Sequence, residues 1–231
     1  AQNGFLTAIG GNTVIWKPSP KVPLTAIAMQ QIAIQAEKEL GYNGIFSLYM
    51  PVENELAELV VKDQRVSMIS FTGSTGIGHK VAETISETLG RRYMLECSGN
   101  NGCIVDETAD LKLAAKAITF GAVGTTGQRC TSTRRLIVHK DVVDDLIPLL
   151  KDAFSQIVVG DPRDASTVVG PLIDEAAVTS YKATIADAEK LGGQVVYGGN
   201  VIDRPGLYVE PTLIINVEPD WSCVQNETFA P

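Results

Sequence analysis

Metal-type cysteine and histidine spacings, excess basic charge and long apolar runs are all missing from this 231-residue chain. Its four cysteines, Cys97, Cys103, Cys130 and Cys223, form no CxxC pair, and its two histidines, His79 and His139, stand alone in sequence. No zinc-type ligand set can be read from such spacings, and no metal is expected. Four cysteines in a chain this long do not make a disulfide framework, which points to a reducing compartment. Acidic residues outnumber basic ones, 27 to 19, and the net charge of −8 disfavours nucleic acid or an anionic membrane as partner. No apolar run approaches the roughly 18 residues that suggest a membrane span, and no signal peptide is visible. Internal repeats and low-complexity tracts are absent as well.

What is present is a globular composition. Apolar residues make up 45% and charged residues 20%, enough for a packed core in one large domain or two smaller ones. The chain begins at Ala1 without Met and ends inside what reads as a motif, so an excerpt of a longer protein is expected. Its compartment is then cytoplasmic, or the mitochondrial matrix if a transit peptide precedes it.

Strand and helix patterns alternate. Residues 13–17 read as a strand stopped by Pro18 and Pro20. A helix is predicted over 23–40, on Leu24, Ala28, Ile32, Ala36 and Leu40, with Gly41 as its stop. Strands follow at 45–49 and 66–71, separated by a short helix that Asn54 would cap. A glycine turn opens the next helix, with Ile77, Val81, Ile85 and Leu89 four apart and Gly90 as stop, and a strand at 93–96 follows. The pattern restarts after Gly99: strand 103–105, a helix from about Ala109, strand 134–139, and a helix from near Asp141 in which Pro148 predicts a kink or a late start. Residues 175–191 are helical, 194–197 a strand, and 208–217 an extended run interrupted by Pro211. This order predicts an α/β chain, a Rossmann-like doubly wound parallel sheet joined to a second α/β domain. The boundary is placed near residues 98–101, giving domains 1–98 and 99–231 with an active site expected at their junction.

Three segments carry chemistry. Residues 120–135 read Phe-Gly-Ala-Val-Gly-Thr-Thr-Gly-Gln-Arg-Cys-Thr-Ser-Thr-Arg-Arg. Gly124 and Gly127 break the preceding helical pattern and place Cys130 in a bend that a ligand can approach closely. Arg129 precedes the thiol, and Arg134 and Arg135 follow; nearby cations favour the nucleophilic thiolate. Locally, a buried structural cysteine is an equally open reading. Phe71-Thr72-Gly73-Ser74-Thr75-Gly76-Ile77-Gly78 is a glycine turn whose backbone N–H groups and helix dipole suit a phosphate, although any tight strand-to-helix turn needs glycine. Tyr93-Met94-Leu95-Glu96-Cys97-Ser98-Gly99-Asn100-Asn101 sets the Glu96 carboxylate at the end of an apolar run, 34 residues before Cys130.

Together these segments resemble the aldehyde dehydrogenase superfamily, and so do Gly11-Asn12-Thr13-Val14-Ile15-Trp16-Lys17-Pro18-Ser19 and Glu227-Thr228-Phe229-Ala230-Pro231. The resemblance implies oxidation of an aldehyde to a carboxylic acid with NAD, or NADP, as acceptor. It makes Cys130 the nucleophile and Glu96 the general base for thioester hydrolysis. It assigns Lys17, Gly73, Ser74, Gly78, Glu227 and Phe229 to the cofactor, and Arg129 and Thr131 to the substrate. The family's second oxyanion donor is an asparagine upstream of Ala1, and its members assemble as homodimers or homotetramers.

Several stretches are most similar to the antiquitin branch, the α-aminoadipic semialdehyde dehydrogenases of lysine breakdown. These are Gly99-Asn100-Asn101, Gly127-Gln128-Arg129-Cys130-Thr131, and Val201-Ile202-Asp203-Arg204-Pro205-Gly206 with Tyr208-Val209-Glu210-Pro211-Thr212. Arg129 would then pair with a substrate carboxylate. Two departures bear on the cofactor: Pro20 replaces a glutamate that many members use against NADP, and residues 50–54 lack the usual glycines. Cys97 and Ser98 replace the usual Leu and Gly after the base. Alternatives are a CoA-acylating aldehyde dehydrogenase, against which Glu96 argues, and a non-catalytic NAD-binding or structural member of the fold.

Overall fold

Helix α2 (Pro23–Glu39) starts on Pro23, whose missing N–H costs nothing in a first turn, and stops before Gly41, which takes a φ of 75°. It is the crossover between two parallel strands, β1 (Val14–Trp16) and β2 (Phe46–Leu48). Parallel strands need such a crossover, and the arrangement recurs. Strands β3 (Met68–Thr72) and β4 (Arg92–Glu96) run parallel around α4 (Thr75–Ser86). Strands β5 (Asn101–Val105) and β6 (Thr133–Val138) do so around α5 (Leu111–Val123). The computed structural model describes residues 2–231, which divide after Cys97 into two compact units.

The first unit also contains α1 (Gln2–Ile9) and α3 (Asn54–Lys62). Its buried residues include one carboxylate. Glu37 on α2 is 7% exposed and accepts the backbone N–H groups of Gly44 at 2.9 Å and Phe46 at 2.7 Å. These bonds tie the helix to the start of β2.

In the second unit, α5 and α6 (Val143–Ser155) cover β5 and β6 through Val105, Ala115, Ile118, Leu146 and Leu150. The Asp110 side chain caps α5, accepting from Lys112 and Leu113. Helix α7 (Glu175–Leu191) is capped by Asp174 and stopped by Gly192 at a φ of 104°. It packs Val178 and Tyr181 against Leu172, Val209 and Ala230. Strands β7 (Gln194–Tyr197) and β8 (Leu213–Ile215) are antiparallel, and a short α8 (Ser222–Gln225) precedes the last residues.

The α/β class with parallel strands is as predicted, with local differences. Strands pair two by two among the described residues. Helix α4 ends at Ser86, and Leu89 is 99% exposed: four-residue recurrence alone does not put a side chain on the core face. Asn54 is the first residue of α3; the cap position is Glu53, with no side-chain capping bond. Helix α6 starts at Val143 and runs through Pro148, which is exposed. Of the run 208–217, only Leu213–Ile215 is strand, because Tyr208 and Val209 are buried and Val209 bridges Val201 instead. Among the described residues no helix is long and apolar enough to cross a membrane.

Candidate active site

The carboxyl ends of parallel strands are where sheets of this kind bind ligands. In the first unit β3 and β4 end together: Thr72 is in register with Glu96, and the Gly73 N–H donates to the Glu96 carbonyl at 3.0 Å. The glycine turn and Glu96 therefore share one corner; residues 73–77 and Glu96 are exposed, while Gly78 is buried. Helix α4 opens there, with Ser74 in the cap position and no side-chain capping bond. The first N–H groups of a helix have no intrahelical partner, so the turn keeps donors for an anion.

At two glycines of the turn a side chain would force a neighbouring side chain to move. A Cβ at position 73 would stand 2.6 Å from Phe71 Cζ, and one at 78 would stand 2.5 Å from Cys97 Sγ. Lys17 belongs to the other strand pair; it follows β1, is exposed, and donates from Nζ to the Pro18 carbonyl at 3.0 Å.

In the second unit α5 breaks into a 3-10 turn, Gly124–Gly127, with left-handed φ at Thr125 (55°), Thr126 (58°) and Gly127 (64°). Left-handed backbone is costly for β-branched residues, so the surroundings must hold it. Thr126 Oγ1 donates to the Gly170 carbonyl at 3.2 Å, and Thr125 Oγ1 accepts from Arg129 Nε at 2.6 Å. Gln128 Oε1 accepts from the Ile173 N–H at 2.9 Å. Beyond this turn Arg129, Cys130 and Thr131 are all exposed.

The carbonyls around the thiol are pinned by side chains. Asn101 Nδ2 donates to the Cys130 carbonyl at 2.6 Å and to the Ser132 carbonyl at 3.0 Å. Arg134 Nη2 donates to the Arg129 carbonyl at 3.1 Å. Buried Ser132 accepts the Arg129 N–H through Oγ at 3.3 Å. The thiol is thus presented on a fixed backbone.

Arg134 also joins this loop to the segment that follows α8. Its Nη1 donates to the Ala230 carbonyl at 3.0 Å, Nη2 lies 3.5 Å from Glu227 Oε1, and Cζ lies 5.1 Å from the centre of the Phe229 ring. Burial lowers the Arg134 pKa, an effect the Glu227 carboxylate opposes, and arginine stays charged regardless. The structure therefore gathers Arg129, Cys130, Thr131, Glu227 and Phe229 within the second unit. Asn101 and Arg134 were not read from sequence as members of this group; a nearby positive charge was the only signal from Arg134.

His139, isolated in sequence, has carboxylates on both sides: Nε2 is 3.7 Å from Glu107 and Nδ1 is 3.8 Å from Asp141. Glu107, His139 and Asp141 each bring one possible ligand atom to within 4.8 Å of the others, a grouping that sequence spacing did not show.

The family model described as "Aldehyde dehydrogenase family" matches residues 4–231. This chain belongs to the aldehyde dehydrogenase family. It is 42% identical over 231 residues to the putative aldehyde dehydrogenase family 7 member A1 homolog of Caenorhabditis elegans, covering 99% of this chain and 43% of that protein. It is 41% identical over 229 residues to the alpha-aminoadipic semialdehyde dehydrogenase of Bos taurus, covering 99% and 42%. The crystal structure of an NAD-dependent aldehyde dehydrogenase from Sinorhizobium meliloti matches with a TM-score of 0.88 at 32% identity, over 95% of this chain and 43% of that one. The chain thus spans less than half the length of these aldehyde dehydrogenases.

Proposed function

We propose that this chain supplies the nucleophile, the general base and part of the cofactor site of an aldehyde dehydrogenase that oxidises an amino-acid semialdehyde, of the α-aminoadipic type, with NAD. The observation that carries this reading is the exposed Cys130 thiol, on a loop whose flanking carbonyls are bonded by Asn101 and Arg134. Cys130 as thiolate attacks the aldehyde carbonyl, and its own backbone N–H is one donor to the oxyanion of the thiohemiacetal. A bound NAD would supply the hydride acceptor, and Cys130 would then carry the acyl group as a thioester. Glu96 takes a proton from the water that hydrolyses it.

The residues present fit a dinucleotide. The turn at Gly73, Ser74 and Gly78 offers helix N-terminal donors to phosphate, and Lys17 serves the adenosine ribose. The Glu227 carboxylate faces Arg134 through Oε1 and keeps 11% of its side chain exposed, and it would accept from the nicotinamide ribose beside Phe229 at the ring. The relative in S. meliloti is described as NAD-dependent, while Pro20 removes a carboxylate that would repel a 2′-phosphate. A moderate preference for NAD is expected, and an equal or better kcat/KM with NADP would overturn it.

The two chemical steps are separable. In a full-length protein carrying this chain, Cys130→Ala should abolish NADH formation. Glu96→Gln should slow steady turnover while a first-turnover burst of NADH survives. A Cys130→Ala protein with parent-like activity would sink the assignment.

A further inference from the structure

Arg134 stands on β6, four residues after Cys130, with 6% of its side chain exposed. A buried guanidinium must find acceptors for its charge and its N–H groups. Here the two terminal nitrogens go to different segments, one to the carbonyl just before the thiol residue and the other to the carbonyl just after Phe229. The aromatic ring of Phe229 lies against the same planar group. The ion pair with Glu227 is long, at 3.5 Å, and Arg134 Nε and Glu227 Oε1 are both buried without a hydrogen bond. Charge holds the Glu227 carboxylate near the guanidinium through Oε1.

We infer that Arg134 is a positioning residue that fixes the nucleophile loop against the Glu227–Phe229 segment and so sets the thiol relative to the nicotinamide half of the cofactor. The inference rests on the reading of Cys130, Glu227 and Phe229 given above. One rigid fork bridges the two carbonyls, so the spacing between loop and segment is the span of the guanidinium. The same group holds the Glu227 carboxylate in place through Oε1. Lysine cannot substitute, since a single ammonium lacks the planar fork and the face that lies on Phe229. A residue that served only the fold would tolerate lysine wherever the protein stays folded.

The experiment compares a full-length protein carrying this chain with its Arg134→Lys and Arg134→Met variants. Three quantities are measured: the Kd for NAD by calorimetry, the iodoacetamide alkylation rate of Cys130 followed on its own peptide by mass spectrometry, and the thermal midpoint. Both variants should fold, weaken NAD by at least tenfold, and change the Cys130 alkylation rate by threefold or more without cofactor. Arg134→Lys should fail to restore either quantity. Folded variants that bind NAD within twofold of the parent and alkylate at the parent rate would overturn the proposal. Loss of the folded state in both variants would make Arg134 a fold residue only and overturn it equally. A parent that binds no NAD, or a Cys130→Ala variant that turns over, would sink the underlying reading and the proposal with it. Binding and alkylation do not depend on turnover, so the two failures are distinguishable.

Discussion

Glu37 shows what a single side chain does for the first unit. Its carboxylate accepts two backbone N–H groups in a 7% exposed position, and truncation leaves both without their acceptor. Glu37→Ala should therefore cost about 2 kcal/mol, with partial relief because Gly44 is exposed to water. Trp16, paired with Leu48 across β1 and β2, reports it: in a Trp221→Phe background the urea midpoint of Trp16 fluorescence should fall. Asp63 makes a different prediction. Its hydrogen bond from the Arg65 side chain lowers the pKa from 3.8 to about 2. The depressed value means that the pair's contribution is present above pH 3.8 and is lost as pH falls through about 2, so an NMR titration of Asp63 should have its midpoint well below 3.8. The proposed function gives Arg129 a part in specificity. It is exposed, and among the described residues its side chain is anchored at Nε by Thr125, so its guanidinium can receive a carboxylate. Arg129→Met should lower kcat/KM for aminoadipic semialdehyde roughly ten- to a hundredfold more than for hexanal. Equal losses on the two substrates would reduce Arg129 to loop support.

Among the elements, the left-handed turn before Cys130 is tightly constrained by its neighbours. A Cβ at Gly127 would fall inside the Ala230 carbonyl, whereas one at Gly192, also left-handed, meets no atom within 4 Å. Gly192→Ala should cost only the backbone penalty, about 1 kcal/mol. Gly127→Ala should cost several times more and should also raise the Kd for NAD, because the Phe229 segment is what it displaces. Comparable melting losses for the two variants would contradict this. The same element marks the limit of sequence reading. Helices α2, α5 and α7 were legible, because caps, stops and periodicity are local. Asn101 and Arg134 were not, because their partners lie 29 and 96 residues away. The end of α4 was misread for a related reason: Leu89 fits the helical recurrence, yet no core exists on that side to receive it. The short helices α1 and α8 carried no periodic signal long enough to find.

For the chain as a whole, uncovered apolar surface dominates. Ile104 and Ile137 are register partners on β5 and β6, exposed by 78% and 52%, and a parallel pair is normally covered on both faces. Leu24, Leu40 and Phe120 are exposed by 80%, 72% and 71%. The 231 residues expressed alone should therefore associate at micromolar concentration, which size exclusion with light scattering would show. Ile104→Lys should shift the distribution toward monomer. The relatives are more than twice as long, so turnover by these residues alone should fall at least a hundredfold below that of a full-length protein, the loss expected for one missing oxyanion donor. A monodisperse monomer with turnover within tenfold of it would contradict both expectations.

The contact of Gly127 and Arg134 with Ala230 also dictates an order of events during synthesis. The nucleophile loop leaves the ribosome about a hundred residues before the carbonyl that closes against it. Strands β5 and β6 and helices α5 and α6 contain what they need to pair and pack in that interval. The loop does not, because its left-handed turn and buried guanidinium are stabilised by a segment not yet made. Cys130 therefore passes through a period in which it is translated and exposed but without its final geometry. Nascent chains stalled between residues 160 and 225 should give a Cys130 alkylation rate close to that of an unstructured thiol, and chains long enough for Ala230 to emerge should give a changed rate in a single step.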